Sequence, residues 1–472
     1  MPSIILSLRN GVSILESSEG GLELQGGYRS HRIKDVTPNT IQTLLRLFSK
    51  EISYAELLGR IGNGDELEGV WSCLDNISRL GCLSWSIEAE GLELAKLQTI
   101  GLGFAPHLNH IERDQRYVAS RFAYSRSLNR KSVLETPLNP VRIELSHWRS
   151  GAVWQQISQP CTYTELSAVI PGSDPELVRM LLQLLLAAGV IQPLEDSAVA
   201  SGALDEALEQ WEFHDLLFHS RSRAGRHDQP LGDAFPFWPK IPPLPACKPP
   251  FGGEILELYK PDMEQLSGED YPFTLILEER RSILDYGPKS ITLQQIGEFL
   301  YRTARVKRIK PINEQMGVMY ETSTRPYPGV GGCYELEIYL TVAECAGLDN
   351  GLYYFDPQHH TLTKVCGENQ HTVSILKQAA HVADISCNPQ VVITLTARFS
   401  RVAWKYSSIA YASILKDVGV LFQTMYLVAT AMDLSPCALD SGHADLLCEA
   451  AGLDYGQESA VGEFMLASKH IG

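Results

Sequence analysis

Residues 328–342 read PGVGGCYELEIYLTV, a glycine-rich turn followed directly by a strand pattern. Three of the five residues from Pro328 to Gly332 are glycines, and such a turn lets backbone amides approach a flat or anionic ligand closely. Beyond the turn, the apolar residues from Leu336 to Val342 alternate as they do in a strand. We therefore expect a ligand to contact this turn, although a plain connecting loop fits the same residues.

Strand and helix patterns are mixed along the rest of the chain after Gly252. Apolar residues recur with helical spacing in two stretches, and three other stretches read as short strands. Mixed order of this kind, with helices around one antiparallel sheet, predicts an α+β domain over residues 253–472. The helical stretches are 293–301 and 418–432, and the strands are 352–355, 390–396 and 463–467.

Two polar motifs in this domain indicate chemistry. Arg280-Arg281-Ser282 sets two planar guanidinium groups beside a hydroxyl, which suits a phosphate, although arginine pairs are also common on solvated surfaces. Lys405 directly precedes Tyr406, and a nearby ammonium group favours the phenolate form of a tyrosine, although such neighbours also occur on surfaces. Together with the glycine turn, these motifs predict a phosphorylated cofactor with proton transfer beside it.

The first 200 residues contain a weak internal repeat. The run SYAEL at 53–57 recurs as TYTEL at 162–166, about 109 residues later. In each copy a turn, a helix, a glycine and a strand follow, and the turn of the first copy is Asn63-Gly64-Asp65. This order of elements is typical of a winged helix-turn-helix, so we predict two such domains, at 1–100 and 101–200.

The charge of the chain argues against nucleic-acid binding by these domains. The formal net charge is −16, whereas phosphates demand a basic face. One would-be recognition helix is acidic at 65–68, and the other carries an apolar core stripe at 181–186. We expect the domains to dock protein or peptide instead, by adding a strand to an open sheet edge. A DNA-binding winged-helix regulator is the alternative.

Eight prolines between residues 229 and 250 predict a stiff, extended connector. We assign residues 201–252 to a connecting helix and this proline-rich linker. His214 and His219 on the helical part are five residues apart, which is poor helical spacing for two ligands of one metal. No metal site is therefore expected.

Composition indicates a cytoplasmic protein that does not bind membranes. None of the ten cysteines forms a Cys-x-x-Cys pair, so neither a zinc ribbon nor a thioredoxin-type pair is expected. The apolar run at the N-terminus is too short for a secretory signal. No apolar stretch of roughly 18 residues, the length of a membrane span, is uninterrupted, and 177–194 comes closest.

The C-terminal residues 253–472 resemble SagB-type dehydrogenases of the FMN-dependent nitroreductase superfamily. The layout of the whole chain is similar to that of the azoline oxidases of cyanobactin pathways, including the doubled N-terminal region and the Phe213-His214-Asp215 connector. Several ordered matches of this kind are highly specific. The matching stretches are Arg280-Arg281-Ser282, 299–306, 325–328, 334–337, 351–357, Trp404-Lys405-Tyr406 and 419–427.

This resemblance implies an FMN site in a homodimer, with the glycine turn covering the flavin from the other subunit. The segment along the flavin edge follows the helix that ends at Asp433, and it also reads as a simple helix exit. The positions that match FMN contacts are Arg280, Arg281 and Ser282 with Lys469 for the phosphate and ribityl chain, Pro328, Gly329, Val330, Gly331 and Gly332 over the flavin, and Ala438, Leu439, Asp440 and Ser441 along its isoalloxazine edge.

Two departures from the family pattern concern this site. Many members carry another basic residue two places beyond the serine, where this chain has Leu284. The usual Ser-Gly-Gly of the covering loop reads Gly329-Val330-Gly331. The first bears on the phosphate geometry and the second on which amides touch the flavin.

The resemblance also implies an activity, the oxidation of thiazoline or oxazoline rings in ribosomally made peptides to thiazole or oxazole. Lys405 and Tyr406 match the pair regarded as catalytic. Tyr406 is the expected general base with Lys405 lowering its pKa, and the reverse assignment stays open. Molecular oxygen would reoxidise the flavin, the N-terminal domains would bind the precursor peptide, and other peptide-modifying enzymes of the pathway are further candidate partners.

Two other functions fit the same residues. One is an NAD(P)H-dependent reductase of small molecules, in which the doubled N-terminal region has no purpose. The other is a non-catalytic peptide-binding scaffold, or a subunit that needs a cyclodehydratase partner.

Overall fold

The computed structural model describes residues 2–18, 20–26, 30–49, 52–54, 56–57, 65–194, 203–230 and 232–470. The chain splits into two compact units, Met1–Pro230 and Leu231–Gly472. Both copies of the predicted repeat lie in the first unit, and the boundaries expected near residues 100 and 252 do not coincide with this division. Asn63 and Gly64 of the predicted turn, and the boundary expected at 200, lie outside the described residues.

A seven-stranded sheet in the order β5-β1-β6-β7-β11-β10-β9 contains strands from both predicted domains of the first unit, 1–100 and 101–200. Two smaller sheets, β2-β3-β4 and β12-β8, accompany it. The strands are β1 (Ser3–Leu8), β2 (Ser13–Glu16), β3 (Leu22–Gln25), β4 (His31–Ile33), β5 (Ile52–Ser53), β6 (Leu83–Ala89), β7 (Leu92–Thr99), β8 (Tyr117–Ala119), β9 (Tyr124–Leu128), β10 (Lys131–Glu135), β11 (Val141–Leu145) and β12 (Ile191–Pro193).

Local signals set the helices of this unit. The Thr162 side chain and Glu165 form a reciprocal capping box at the start of one helix. Asp174 caps the next, which ends at Gly189 in the left-handed conformation, φ 74°. The winged-helix interpretation stays a prediction. The helices are Pro38–Leu47, Asp65–Arg79, Trp148–Gln156, Tyr163–Val169, Pro175–Ala188, Ala203–Glu209 and Phe213–Arg221.

The second unit is built on a seven-stranded sheet in the order β13-β20-β19-β17-β21-β23-β22, and every neighbouring pair is antiparallel. This confirms the predicted α+β class. The strands of this unit are β13 (Ile255–Glu257), β14 (Ile291–Thr292), β15 (Arg308–Lys310), β16 (Thr322–Thr324), β17 (Leu336–Val342), β18 (Cys345–Ala346), β19 (Gly351–Asp356), β20 (Thr361–Gly367), β21 (Val391–Arg398), β22 (Leu434–Leu439) and β23 (Glu458–Ser468).

Helices cover both faces of this sheet, because successive residues of each strand point to opposite sides. Leu340 and Ile393 belong to one buried cluster, and their neighbours Tyr339 and Val392 belong to another. The helices are Met263–Glu269, Phe273–Glu279, Leu293–Ala304, Gln370–Val382, Phe399–Ala403, Ala410–Ala431 and Ala444–Ala451, with short 3-10 turns at Glu314–Met316 and Val330–Gly332.

Two expectations about this unit need correction. The segment expected to leave the helix as an open turn forms β22, Leu434–Leu439, because it pairs with β23 as the edge strand of the sheet. The helix Ala410–Ala431, called the long helix below, rather than 177–194, is the one described helix long and apolar enough to cross a membrane by length and composition alone. Its Leu421 and Met425 are completely buried in the core of the unit.

The proline-rich part of the expected connector is packed against the rest of the second unit and is not a free linker. Residues 232–246, called the strap below, belong to the second unit. Arg398 and Arg401 donate hydrogen bonds to strap carbonyl groups, at 2.9 Å to Pro245 and 2.6 Å to Leu244. Proline-rich backbone has few N–H donors of its own, so its carbonyl groups need donors from elsewhere. Buried arginines supply them here.

Candidate functional site

Lys405 and Tyr406 follow the short helix Phe399–Ala403, which begins where β21 ends. Only 6% of the surface of Lys405 is exposed, so its ammonium group needs partners. The ammonium nitrogen donates to the Tyr320 hydroxyl at 2.7 Å and lies 3.2 Å from a carboxylate oxygen of Asp233. The predicted pair is therefore part of a larger polar cluster.

The glycine turn packs directly against this cluster. A side chain at Gly331 would place its Cβ 2.7 Å from the Lys405 Nζ atom and in collision with the Tyr406 hydroxyl. Gly331 also has a positive φ of 54° and accepts a hydrogen bond from the Tyr320 hydroxyl. Glycine at this position is thus required both by conformation and by space. The structure brings the predicted turn and the predicted Lys-Tyr pair together.

The charges of the cluster are set by its hydrogen bonds. Burial opposes the charge on Lys405, but hydrogen bonds with Tyr320, Asp233 and Tyr406 outweigh it and raise the pKa of Lys405 above its ordinary value. Burial also raises the pKa of Tyr406, and the neighbouring Lys405 opposes that rise. In the protein alone, Lys405 is therefore a cation and Tyr406 a neutral phenol.

Two acidic side chains lie behind the turn. Asp417, on the long helix, accepts a hydrogen bond from the backbone N–H of Val330 at 2.8 Å. Glu335, three residues beyond the turn, is completely buried, and burial together with the nearby Asp417 carboxyl raises its pKa to about 8. Burial also raises the pKa of Asp417. This pair fixes the turn to the long helix.

The predicted phosphate contacts form a second group, centred on Tyr426. Its hydroxyl lies 2.7 Å from the Ser282 hydroxyl and accepts a 2.8 Å hydrogen bond from the backbone N–H of Ala438. The Arg280 guanidinium lies 5.3 Å from the centre of the Tyr426 ring. One tyrosine thus joins the Arg-Arg-Ser segment to the edge strand that was predicted to run along the flavin.

The other predicted contacts lie around this group. Lys469 pairs through its backbone with Tyr286, and its ammonium group lies 3.2 Å from Asp433. Arg281 is exposed, as are Asp440 and Ser441, and Pro328 is exposed in the turn. Leu439 and Ser441 line a cavity with Glu463, whose burial raises its pKa to about 7.

The long helix connects the two groups. Asp417 anchors the glycine turn, and Tyr426 anchors the phosphate contacts. Nine residues of helix separate them, a distance of about 14 Å at 1.5 Å per residue. The predicted residues are therefore assembled in two groups on one helix.

Sequence reasoning missed five polar residues of these groups: Asp233, Tyr320, Glu335, Asp417 and Tyr426. Asp417 carried a usable signal, since it is the one carboxylate in the long helix. Tyr426 lies in a stretch that matched the family, but nothing in its spacing gave it a role. Asp233 and Tyr320 come from distant parts of the chain, and only the fold brings them to Lys405.

Two family models match the chain. Residues 117–228 match the cyanobactin oxidase ThcOx, and residues 277–466 match the nitroreductase family. The chain carries a nitroreductase domain behind a cyanobactin-oxidase region. This confirms the resemblance found in the sequence, and the chain is accordingly placed among the oxidoreductases.

Individual relatives are more distant. A candidate nitroreductase of Methanocaldococcus jannaschii is 26% identical over 185 residues, 39% of this chain and 82% of the relative. A solved candidate nitroreductase from Anabaena variabilis covers 88% of this chain and 91% of its own, with 17% identity and a TM-score of 0.36. The E. coli microcin synthetase McbBCD complex with truncated pro-MccB17 aligns with 42% of this chain and 72% of its own, at 18% identity and a TM-score of 0.33.

The residues present fit a flavin phosphate and ring. Arg281 and Ser282 are exposed donors beside Arg280, and Gly331 lies directly against Lys405 and Tyr406. Nitroreductase-family proteins typically bind flavin. The second unit thus carries exposed donors suited to a phosphate and a separate Lys-Tyr cluster packed against a glycine turn.

Proposed function

We propose that the protein is an FMN-dependent oxidase of thiazoline or oxazoline rings in ribosomally made peptides. The observation that carries the proposal is the packing of Gly331 against Lys405 and Tyr406 within a nitroreductase domain. The cyanobactin-oxidase match at residues 117–228 favours this substrate class over a free small molecule.

Arg280, Arg281, Ser282 and Lys469 would hold the FMN phosphate in this proposal. Bound FMN would supply a hydride acceptor, and oxygen would then take the electrons. Aromatisation also requires loss of a proton from the ring carbon that was a peptide α-carbon. Arg280, Arg281, Ser282 and Lys469 would therefore bind the cofactor, and a residue of the Lys-Tyr cluster would accept the ring proton.

We assign Tyr406 as the general base that accepts this proton. Lys405 has three polar partners that favour its protonated form, which argues against Lys405 as the base. A cationic Lys405 instead stabilises a phenolate at Tyr406 once substrate displaces water from the site. These contacts support Tyr406 rather than Lys405 as the base in this proposal.

A homodimer is part of the proposal. The helix Phe273–Glu279 exposes Phe273, Leu275 and Leu277, and the long helix exposes Tyr411 and Leu415. Only 33% of the most apolar stretch of the long helix is buried. Exposed apolar surfaces of this kind are typical of protein interfaces. A second copy packed here would explain them without a membrane.

The first unit is proposed to bind part of the precursor peptide. Tethering the substrate raises the effective concentration of its ring at the second unit. We also propose a cytoplasmic location and association with other peptide-modifying enzymes, as the pathway would require.

The test is incubation of the purified, yellow protein with a thiazoline-containing peptide in air. The proposal expects the peptide to lose the mass of two hydrogens and gain the absorbance of a thiazole. If the peptide is unchanged while NADPH rapidly bleaches the flavin, the protein is a reductase of small molecules. A colourless protein that binds the peptide would be a scaffold.

A further inference from the structure

Hydrogen bonds along most of the strap hold it against residues 398–406, the segment that carries Lys405 and Tyr406. The backbone N–H groups of Ala234 and Phe235 both donate to the carbonyl oxygen of Lys405 at 3.0 Å. Farther along, the indole N–H of Trp404 donates to the carbonyl oxygen of Ile241 at 2.6 Å. These bonds, together with those from Arg398 and Arg401, fasten the strap to Lys405 and to the residues that precede it.

An aromatic cluster reinforces this attachment. The Phe235 ring lies 5.4 Å from the ring of Trp404 and 6.3 Å from that of Tyr320. Phe235 therefore brings the strap against the same tyrosine that binds Lys405. The strap therefore forms one side of the Lys-Tyr cluster and is not a free linker.

The Lys405 ammonium group is bound from two directions. Tyr320 bonds it at 2.7 Å and also donates to the carbonyl oxygen of Gly331. Asp233, at the start of the strap, lies 3.2 Å away and pairs through its backbone with Tyr406. One partner thus links the ammonium to the glycine turn, and the other links it to the strap.

We infer that Asp233 and Tyr320 are positioning residues that hold the protonated Lys405 side chain between the glycine turn and the strap, facing Tyr406. The inference rests on the proposed oxidation for its catalytic meaning, but the positioning itself can be measured without turnover. Neither residue is expected to touch the reacting ring.

Removal of either partner should make Lys405 easier to deprotonate. The Asp233 carboxylate is 55% exposed, so water screens part of its effect. Tyr320 is buried and its hydrogen bond is screened less. The titratable or charged groups around the ammonium are Asp233, Tyr320, Tyr406 and Cys333, with Arg401, Glu335 and Asp417 around Cys333.

The experiment measures acetylation of Lys405 by trace acetic anhydride across pH 8–11, followed by peptide mass spectrometry. The FMN-bound wild type is compared with Asp233→Asn and Tyr320→Phe. The labelling rate rises with pH while the amine is protonated and levels off once it is deprotonated, and the pH at which it levels off does not depend on how accessible the amine is. Asp349→Asn is the matched control, because it removes the carboxylate of an exposed Asp–Lys pair elsewhere in the unit.

We expect the wild-type rate to keep rising throughout this range, because the pKa of Lys405 is raised, and the rate in each variant to level off within it, because loss of a charge or hydrogen-bond partner lowers that pKa by about 1 unit. The control should follow the wild type, and Asp233→Glu should restore the wild-type curve. In the peptide assay kcat should fall with KM unchanged. Coincident labelling curves for all proteins would overturn the inference, even if the peptide is oxidised. Shifted curves without oxidation would support the positioning and refute the proposed function instead.

Discussion

Gly331 shows how much chemistry can depend on a missing side chain. Its carbonyl oxygen accepts a bond from Tyr320, and its Cα lies where any Cβ would meet Lys405 and Tyr406. The backbone is also left-handed at this position, which favours glycine. Individual residues around it therefore have separable roles, and substitutions can distinguish them.

Tyr406→Phe should retain the flavin and lose turnover. The phenol has no other assigned part in cofactor binding, and loss of a general base typically costs 10²–10⁴-fold in rate, so we expect a fall in kcat of about that size. Steady-state oxidation of a thiazoline peptide and the flavin spectrum are the two measurements. Undiminished turnover by this variant would remove Tyr406 from the mechanism.

Gly331→Ala should lower kcat strongly, because its methyl group collides with neighbouring side chains rather than because it strains the backbone. The new methyl group would displace Lys405 or Tyr406, and a misplacement of about 1 Å can cost roughly 100-fold in rate. Gly317→Ala is the control, since Gly317 also has a positive φ, 72°, but open space around its Cβ position. Equal losses of kcat in the two variants would show that strain alone is responsible.

At the scale of elements, the long helix connects proton chemistry to cofactor binding. Asp417 holds the glycine turn, and Tyr426 holds Ser282 and β22 about 14 Å away. Neither side chain needs to touch substrate for this purpose. Their effects should therefore appear in cofactor affinity and in stability.

Tyr426→Phe should weaken FMN binding. The variant keeps the ring beside Arg280 but loses the hydroxyl that bonds Ser282 and the Ala438 N–H, and a lost hydrogen bond costs about 1 kcal/mol, or roughly fivefold in Kd for each. Flavin fluorescence titration of the apoprotein measures this change. The exposed Tyr455→Phe is the control, and an unchanged Kd for Tyr426→Phe would separate Tyr426 from the phosphate site.

Glu335→Gln should make the protein more stable at alkaline pH. The folded pKa of Glu335 is about 8 against an ordinary 4.5, so the folded state binds more protons than the unfolded state between these values. The free energy of unfolding must then fall as pH rises from about 4.5 to about 8. The amide cannot ionise and removes this loss, so the variant should gain stability relative to the wild type as the pH rises from 5 to 8.

Urea unfolding of the second unit at pH 5 and pH 8 tests this change, with the exposed Glu254→Gln as control. A wild type that is no less stable at pH 8 than at pH 5 would contradict the account of Glu335.

The order of elements was predictable and their contacts were not. The alternation after Leu336 identified β17, and the helical spacing of 418–432 identified most of the long helix. β22 was missed because an edge strand of six residues following a helix looks like an exit loop. The strap was missed because proline-rich sequence reads as a linker until the arginines that bind its carbonyl groups are known.

At the scale of the whole molecule, the chain divides into two compact units. The first unit joins strands of both predicted domains in one seven-stranded sheet, and the second assembles the two polar groups on the long helix. Composition alone could not separate an oxidase from a reductase, since both would use the same domain. The cyanobactin-oxidase match lies in the first unit, so the evidence for the proposed substrate class comes from that half of the chain.

Anaerobic mixing of the FMN-loaded protein with a thiazoline peptide tests the central claim most directly. The account predicts that flavin absorbance is lost as one thiazole forms per flavin, and that air restores the colour. Lys405→Ala and Tyr406→Phe should stay yellow under the same conditions. A wild-type protein that remains yellow with the peptide, yet bleaches with NADPH, would contradict the claim.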